Sequence, residues 1–443
     1  MATLDDGAAV RRLLDRFGFG PRPGELASAK AAGFAATAAA LLDPTAPSRD
    51  AGVVATPAPS LGAEVLRPGA AKQDAAAKKQ AVRAIASQEL TLAGWWLERM
   101  VATEAPLVER MTWFWHGHFA TSEQKVRSPR LMQHQNETFR QQGTGSMTTL
   151  AKSMIVDPAM MVWLDAQQNS VRAPNENLAR EAMELFLLGI GHYTEDDVRA
   201  AARALTGWTV DRTNIAARLL PRRHDNNTKT ILGATQNFDA DSFVELVLSQ
   251  QASPRFIAGR IWYRLVSTTP PPADVLDRLV AAYGPNRDVH GLLVALAAEP
   301  AFRDTARTMV KQPVEWLVGL LRAVGVKPGQ LPPTVVHAVV NGLQALGQVP
   351  FLPPNVGGWP ADVAWLTTSA ALTRLKLAEA VATRVDLTSV SAVSAAARPE
   401  AVRVLLGVDT WSDRTKAALA KVAGDARPLF AIAACAPEYL VSQ

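Results

Sequence analysis

Apolar residues recur every three or four positions along most of this chain, and this period constrains the fold more than any other feature of the sequence. Such spacing places apolar side chains on one face of an α-helix. It runs through residues 10–17, 25–42, 84–115, 133–157, 177–188 and 195–206. With 443 residues, 48% of them hydrophobic and 20% charged, the chain can bury a large core. We therefore expect a mainly α, multi-helix globular fold, built as one elaborate domain or two closely packed ones.

Two stretches depart from the helical period. Residues 46–79 are rich in Ala, Pro, Ser, Gly and Lys and contain no aromatic residue, which predicts a flexible insertion. After Trp208, the sequence RHDNNTKTILG places Asn226 and Asn227 between short extended flanks, a pattern typical of a small β-hairpin. A division into sub-domains would fall near residues 209–240.

Charge, cysteine content and motifs exclude several classes of protein. The net charge of +5 is small for 443 residues, and the basic residues are dispersed, so we expect no nucleic-acid partner. Cys435 is the single cysteine, which leaves no intramolecular disulfide. The chain lacks the minimal motifs of serine hydrolases, P-loop NTPases, zincins, zinc ribbons and nicotinamide-binding proteins.

The sequence also lacks the signals of membrane insertion and export. No run of about 18 apolar residues occurs, and the N-terminal residues show no basic leader, apolar segment or small-residue cleavage pattern. We therefore expect no membrane span, and the cytoplasm as the location.

The most informative stretch is residues 174–208, PNENLAREAMELFLLGIGHYTEDDVRAAARALTGW, which we call the signature segment. At about 100° per residue, a helix here places Asn177, Glu181 and Glu184 along the edge of its apolar face. Two carboxylates held close together require a cation or a shared proton to offset their repulsion. Arg180, Arg203 or a metal ion could supply that charge.

A structural alternative exists for the same helix. Glu181 and Glu184 would then form ion pairs that tie this helix to the next one. The arginines available for this role are Arg180, Arg199 and Arg203.

Five of the seven histidines fall between positions 116 and 224. His116 and His118 flank Gly117, and both imidazoles can face one side only if the backbone there is extended or turned, which glycine permits. The plain alternative is that both histidines cap a helix end or bond to backbone carbonyls. The other three are His134, His192 and His224.

His224 and Asp225 form a doublet with two interpretations. The carboxylate either orients the imidazole for metal binding or proton transfer, or it nucleates the turn at Asn226 and Asn227. A mixed nitrogen and oxygen ligand set suits Zn, Mn or Fe. The predicted metal ligands are His116, His118, Glu181, Glu184 and His224.

A supporting shell is expected around this site. The residues assigned to it, as cofactor-binding candidates, are Asn175, Asn177, Arg180, Tyr193 and Arg203. In the same segment, the glycines before Tyr193 predict the end of the signature helix. Thr194 with Asp197 predicts the N-cap of the next helix, and capping is enough to explain both residues.

Several further blocks accompany the signature segment in a fixed order. RLLDRFGFGP, WFWHGHFA and DPAMMVWLDAQQN precede it, and RHDNNTKTILG, FLPPNVGGWP and APEYLVSQ follow it. Together they resemble the bacterial DUF1800 family, a domain of unknown function, over nearly the whole length. The resemblance implies a single domain over residues 1–443 and a possible partner of the DUF1501 family. It names no reaction, and many relatives carry Asn where this chain has Gly117 and are exported.

Two functional hypotheses follow. In the first, the chain is a metal-dependent enzyme, hydrolytic or oxidative, with Glu181, Glu184, His224 and Asp225 as catalytic candidates. In the second, it is a non-catalytic binding or scaffold protein that acts with a DUF1501-type partner. The two differ in whether the histidines and carboxylates converge on one point.

Overall fold

The computed structural model describes residues 2–64 and 75–443. Within them the fold is mainly α, as predicted. The first twelve helices are α1 (Asp6–Arg16), α2 (Glu25–Ala32), α3 (Phe34–Leu41), α4 (Ala51–Val54), α5 (Ala75–Ala102), α6 (Pro106–His118), α7 (Glu123–Val126), α8 (Pro129–Gln142), α9 (Met147–Ile155), α10 (Pro158–Trp163), α11 (Asn177–Glu181) and α12 (Glu195–Ala204). The helices of the second half are α13 (Ala240–Ser249), α14 (Ala252–Leu265), α15 (Ala273–Tyr283), α16 (Val289–Ala298), α17 (Pro313–Ala323), α18 (Pro333–Ala345), α19 (Thr368–Ala382), α20 (Thr388–Ser391), α21 (Arg398–Leu405), α22 (Asp413–Ala420), α23 (Ala426–Ala434) and α24 (Pro437–Leu440).

Three of the long predicted helices are each broken into two. Gly33, with φ +84°, separates α2 from α3, because a left-handed residue ends a helix. Pro106 begins α6 at a first-turn position, where its missing N–H has no helical partner to lose. The third break follows Gly143, which ends α8. At the second and third breaks the apolar period continues because the helices on both sides bury residues; α2 buries none, whereas α3 buries Phe34 and Thr37.

The sheets are minor and antiparallel, as expected. The strands pair as β1 (Trp208–Asp211) with β2 (Ala216–Leu219), β3 (Lys229–Ile231) with β4 (Ala234–Gln236), and β5 (Met309–Val310) with β6 (Val441–Ser442). The predicted hairpin is present, but the predicted position of its turn was wrong. Leu232 and Gly233, with φ +48° and +80°, make the turn between β3 and β4, as in a two-residue primed turn. Asn226 and Asn227 precede β3 instead.

Helix α6 lies between two apolar cores. Met111, Phe114 and Trp115 belong to a core formed largely with α1, α9 and α12–α16. Trp113 belongs to a second core, formed largely with α5, α17, α19 and α23. A helix that is buried on opposite sides directs alternate residues into different surroundings. The two histidines at the end of α6 therefore lie in different environments.

The Ala/Pro-rich stretch is anchored at two points in its described part. Asp50 is buried and accepts hydrogen bonds from the Thr103 hydroxyl at 2.5 Å and from the Ala105 N–H at 3.0 Å. Glu64 accepts one from the Ser128 hydroxyl at 2.5 Å. Residues 65–74 of the predicted flexible insertion lie outside the described residues. Among the helices of the described ranges, none combines the length and apolar content needed to cross a bilayer.

Candidate functional site

A cavity of about 810 Å³ opens beside the signature segment. Four elements enclose it: the end of α6, the helix of the signature segment, the first half of α14, and a loop near Val356. The principal polar residues that line it are His118, Glu184, His192, Gln250, Gln251, Arg255 and Arg260. Its size is that of a small-molecule site.

The signature helix changes its hydrogen-bond pattern where it borders the cavity. Helix α11 continues into a π-helical turn over Ala182–Leu187, and the N–H groups of Leu188 and Gly189 both donate to the Met183 carbonyl, at 3.2 and 2.9 Å. π-helical turns inside helices are frequent at functional sites. The predicted end at a glycine is confirmed, since Gly189 has φ +93°. A Cβ there would lie 2.9 Å from the Phe256 ring of α14, so only glycine permits this approach.

Helix α14 supplies the opposite wall. Ala252, Phe256 and Arg260 are spaced four residues apart, which stacks them on one face, and all three line the cavity. The helix starts at the cavity without a side-chain cap, so its positive dipole end lies at that wall. The Ser253 N–H donates to the Gln250 carbonyl at 3.1 Å, and Pro254 has no N–H to donate.

Arg260 differs from the other arginine of this wall in its ion pairing. Arg255 pairs with Asp277, whereas no carboxylate in the described part of the chain forms an ion pair with Arg260. Its Nε atom is buried and has no hydrogen-bond partner among residues 2–64 and 75–443. Burial lowers the pKa of this guanidinium, but arginine remains charged at neutral pH.

His118 ends α6 and borders the cavity as a neutral imidazole. Its Nε2 lies 2.8 Å from the Phe186 carbonyl oxygen, and because a carbonyl only accepts, Nε2 must carry the proton. Nδ1 then holds a lone pair, and this buried atom has no hydrogen-bond partner. Burial, helped by the positive charge of Arg260, lowers the His118 pKa to about 3.

His116 belongs to the core and not to the cavity. The extended or turned backbone that would bring both imidazoles to one side is not present, because the whole His-Gly-His motif is helical. Residues two apart on a helix point about 200° away from each other. The His116 Nε2 therefore accepts a hydrogen bond from the Phe351 N–H at 2.9 Å, among the rings of Trp96 and Trp359. Burial lowers the pKa of His116 to about 3.

The two glutamates of the signature segment form neither predicted set of ion pairs. Tyr193 donates its hydroxyl to Glu184 at 2.6 Å, and burial together with this bond raises the Tyr193 pKa to about 12. Glu181 is half-buried and does not line the cavity. Burial and the Glu184 charge raise its pKa, against a smaller lowering by Arg180.

The arginines of this segment bind other carboxylates. Arg180 bridges Glu176 and Glu195, and Arg199 pairs with Asp196. The structural alternative for Glu181 and Glu184 was therefore wrong in its partners. Glu184 accepts from Tyr193 instead, and the Glu184 charge acts on Glu181.

The His224 and Asp225 doublet lies in a separate polar cluster. The His224 Nδ1 donates to the Thr206 carbonyl at 2.8 Å. Asp225 accepts from Arg203 Nε at 2.7 Å and from the Asn227 backbone and side-chain amides, both at 2.9 Å. Burial alone would raise the Asp225 pKa, but these donors lower it to about 2. The turn-nucleating interpretation of Asp225 describes this geometry.

Asn175 and Asn177 organise the start of the signature helix. The Asn175 side-chain oxygen accepts from the Asn177 N–H at 3.0 Å, and the Asn175 N–H donates to Asn169 at 2.9 Å. Neither lines the cavity. Of the eleven residues predicted for the site, the structure places two, His118 and Glu184, on its wall.

Convergence of the five predicted metal ligands is not observed. Within residues 2–64 and 75–443, no group of three or more His, Cys, Asp or Glu side chains is arranged to hold a metal ion. The reason is the helical geometry at Gly117, which separates His116 from His118, and the cluster of Arg203 and Thr206, which engages Asp225 and His224.

Sequence reasoning missed the whole α14 wall. One signal was available: α14, ASPRFIAGRIWYRL, contains three arginines and no acidic residue. A buried helix of that composition leaves guanidinium groups without partners on their own helix, which is typical of anion-binding surfaces.

The cavity is built from blocks that are distant in sequence, and a family model spans them all. The model described as "Protein of unknown function (DUF1800)" matches residues 12–441. The chain belongs to the DUF1800 family. Comparison with curated proteins and with solved structures found no match. In this DUF1800 domain, the His-Gly-His block, the signature segment and the Pro/Gly-rich loop at Val356 meet around one cavity.

Proposed function

We propose that this DUF1800 domain binds a small anionic molecule, bearing a carboxylate or phosphate group, in the cavity between the signature segment and α14. The observation that carries the proposal is the Arg260 guanidinium, which lines the cavity without an ion-pair partner. A partly buried charge is costly unless it is paired. An anionic ligand would supply the missing partner.

Two further features favour an anion over a cation. The N-terminus of α14, which has no side-chain cap, adds a positive dipole end to the same wall. The Arg260 and Arg264 charges also lower the pKa of His118, which reports a positive potential at that imidazole.

The remaining polar groups suggest how the ligand is oriented. The His118 Nδ1 carries a lone pair with no partner among the described residues, but the atom itself is buried, so a ligand hydroxyl or amide would reach it only after a shift of the neighbouring side chains. A pKa of about 3 makes this imidazole a poor proton acceptor at neutral pH. Glu184, held by Tyr193, is therefore the residue we assign to proton transfer if the ligand is a substrate.

A divalent metal remains the second candidate, since His118 and Glu184 line one cavity and their atoms are ligands that Zn, Mn and Fe accept. Arg260 opposes a cation there, so we rank this reading below the anion site. The test is elemental analysis of protein purified without chelators, with His118→Ala as comparison. A DUF1501-type partner stays a prediction from the resemblance, and co-purification tests it.

Titration calorimetry tests the anion site directly. Inorganic phosphate and succinate, each titrated at constant ionic strength, are the probes. We expect saturable one-to-one binding of at least one of them, weakened about tenfold or more in Arg260→Met, since a charged hydrogen bond is lost. Arg199→Gln is the control, because Arg199 is exposed and, in the described part of the chain, its ion pair is with Asp196. Equal affinity in both variants, or no binding of either anion, contradicts the proposal.

A further inference from the structure

A second cavity of about 260 Å³ lies away from the signature segment, between α5, α7, α18 and the loop that contains Phe351. Its lining is largely apolar. The apolar residues that form it include Leu92, Ala93, Met132, Val340, Val349 and Phe351. Glu89 and Glu123 also line it, and they are its only ionisable residues among the described lining.

Glu123 is a buried carboxyl group without a donor. Its exposed fraction is 1%, and neither of its oxygens receives a hydrogen bond from any described residue. The group that faces it is the Glu89 carboxyl. A carboxylate pair in such surroundings holds a proton between its members, because both cannot be charged at close range.

The nearby charges do not supply a partner. Arg212 contacts Glu64 at 3.5 Å and donates to the Val126 carbonyl at 3.0 Å. Glu64 also accepts from the Ser128 hydroxyl at 2.5 Å. Burial, followed by the Glu89 and Glu64 charges, raises the Glu123 pKa to about 9, against a lowering by Arg212. Burial also raises the Glu89 pKa, while the hydrogen bond with Glu123 and then the Arg127 charge lower it.

We propose that this cavity binds a small organic ammonium ion, a primary amine with an apolar body. The ammonium group would lie between Glu89 and Glu123, and the hydrocarbon would contact Leu92, Met132 and Phe351. The lining of the cavity favours this class of ligand. The two carboxyl groups at one end suit an ammonium group, and the apolar walls elsewhere suit a hydrocarbon chain. Among the described residues no three-ligand metal group exists here, so the walls offer a bare cation too few oxygens.

We expect binding to release a proton, because the ammonium charge favours ionisation of both carboxyl groups. At pH 7.5 the free amine carries its charge, and the carboxyl pair retains the proton that the two groups share. When the ammonium ion enters, it replaces that proton, so one H⁺ leaves to the buffer for each amine bound. No electron transfer or bond to carbon is involved.

The experiment is titration calorimetry of the full chain with n-hexylamine hydrochloride at pH 7.5, in phosphate and in Tris. These buffers differ in their ionisation enthalpies, so the difference in heat counts the protons released. We expect saturable one-to-one binding with close to one proton released, and no saturable binding of n-hexanol. Binding of the alcohol with the same affinity, or of the amine without proton release, overturns the proposal.

Variants locate the site. Glu123→Gln keeps the shape of the side chain and should weaken hexylamine binding about tenfold or more. Ala86→Phe, at an exposed rim position, should block the cavity without disturbing the core. The control is Glu104→Gln, an exposed carboxylate paired with Arg22. If both test variants bind hexylamine as well as the control does, the amine lies elsewhere and the inference is wrong.

Discussion

Replacing Gly358 with alanine tests the contact on which one wall of the signature cavity depends. Gly358 has φ +77°, and a Cβ built on it would lie 2.2 Å from the Gly117 carbonyl oxygen. The loop thus packs backbone to backbone against the helical His-Gly-His motif of α6. Neither partner can yield by rotating a side chain.

The expected loss of stability has two parts, which substitutions at two other glycines separate. A left-handed backbone costs a non-glycine residue about 1–2 kcal/mol, and forcing an atom into a filled space costs about 1–3 kcal/mol more. We therefore expect Gly358→Ala to lower the free energy of unfolding by about 2–5 kcal/mol. Gly233→Ala should lose only the first part, because Gly233 has φ +80° and nothing within 4 Å. Gly357→Ala should lose less than about 1 kcal/mol, since its nearest neighbour is the Asn355 side chain at 3.2 Å.

Urea denaturation monitored by circular dichroism measures the free energy of unfolding of the three variants. The curves are fitted with one shared m-value, the slope of the unfolding free energy against urea concentration. Phosphate titration of the same proteins reports on the cavity, because Val356 and Gly357 line it. Gly358→Ala should weaken binding, and Gly233→Ala should not. If Gly358→Ala proves no less stable than Gly233→Ala, the backbone contact between the loop and α6 does not exist and the wall has been misassigned.

Three further predictions concern buried and capping groups. Glu109→Gln should lower the free energy of unfolding, measured in urea, by about 3–5 kcal/mol. Glu109 is buried and accepts hydrogen bonds from Arg99 and Arg140 at 2.8 and 2.6 Å. A loss below about 1 kcal/mol would show that the two arginines find other partners. Glu123→Gln should raise the free energy of unfolding at pH 8 by about 2 kcal/mol and leave it unchanged near pH 4. The folded Glu123 pKa of about 9 lies above the pKa in the unfolded chain, so the stability of the unsubstituted protein falls as the pH rises above the unfolded pKa. Parallel pH profiles of the two proteins would contradict this. Thr194→Ala should cost about 1 kcal/mol by removing an N-cap, whereas the exposed neighbour Asp196→Ala should be nearly neutral in the same assay.

The helical fold and several local details could be predicted from the sequence because they depend on neighbours along the chain. The apolar period located the principal helices of the first half of the chain, which are α1–α3, α5, α6, α8, α9, α11 and α12. The Thr194 and Asp197 capping box forms as predicted, and Gly189 ends the signature helix. These features need only hydrogen bonds and dihedral angles within a few residues.

The candidate site depends on contacts between distant segments, and much of it could not be predicted. Gly117 permits an extended backbone but does not require one, and burial on both sides of α6 keeps it helical. Arg260 lies far from the signature segment in sequence, so its role follows only from the packing of α14 against Gly189. His118 and Glu184 were chosen for their chemistry and do meet at one cavity. His224 was chosen for the same reason, yet Thr206 engages it elsewhere.

The π-helical turn at Ala182–Leu187 makes the geometry of the signature helix sensitive to the insertion or deletion of a single residue. Such a turn accommodates one residue more than a regular helix of the same rise. Deleting one residue from it would restore the α-helical repeat and leave the two ends of the helix nearly in their present orientation, because the wide turn absorbs the extra residue locally. Glu184, which lies inside the turn and lines the cavity, would change its position relative to the ligand, while the composition of the segment would stay almost unchanged.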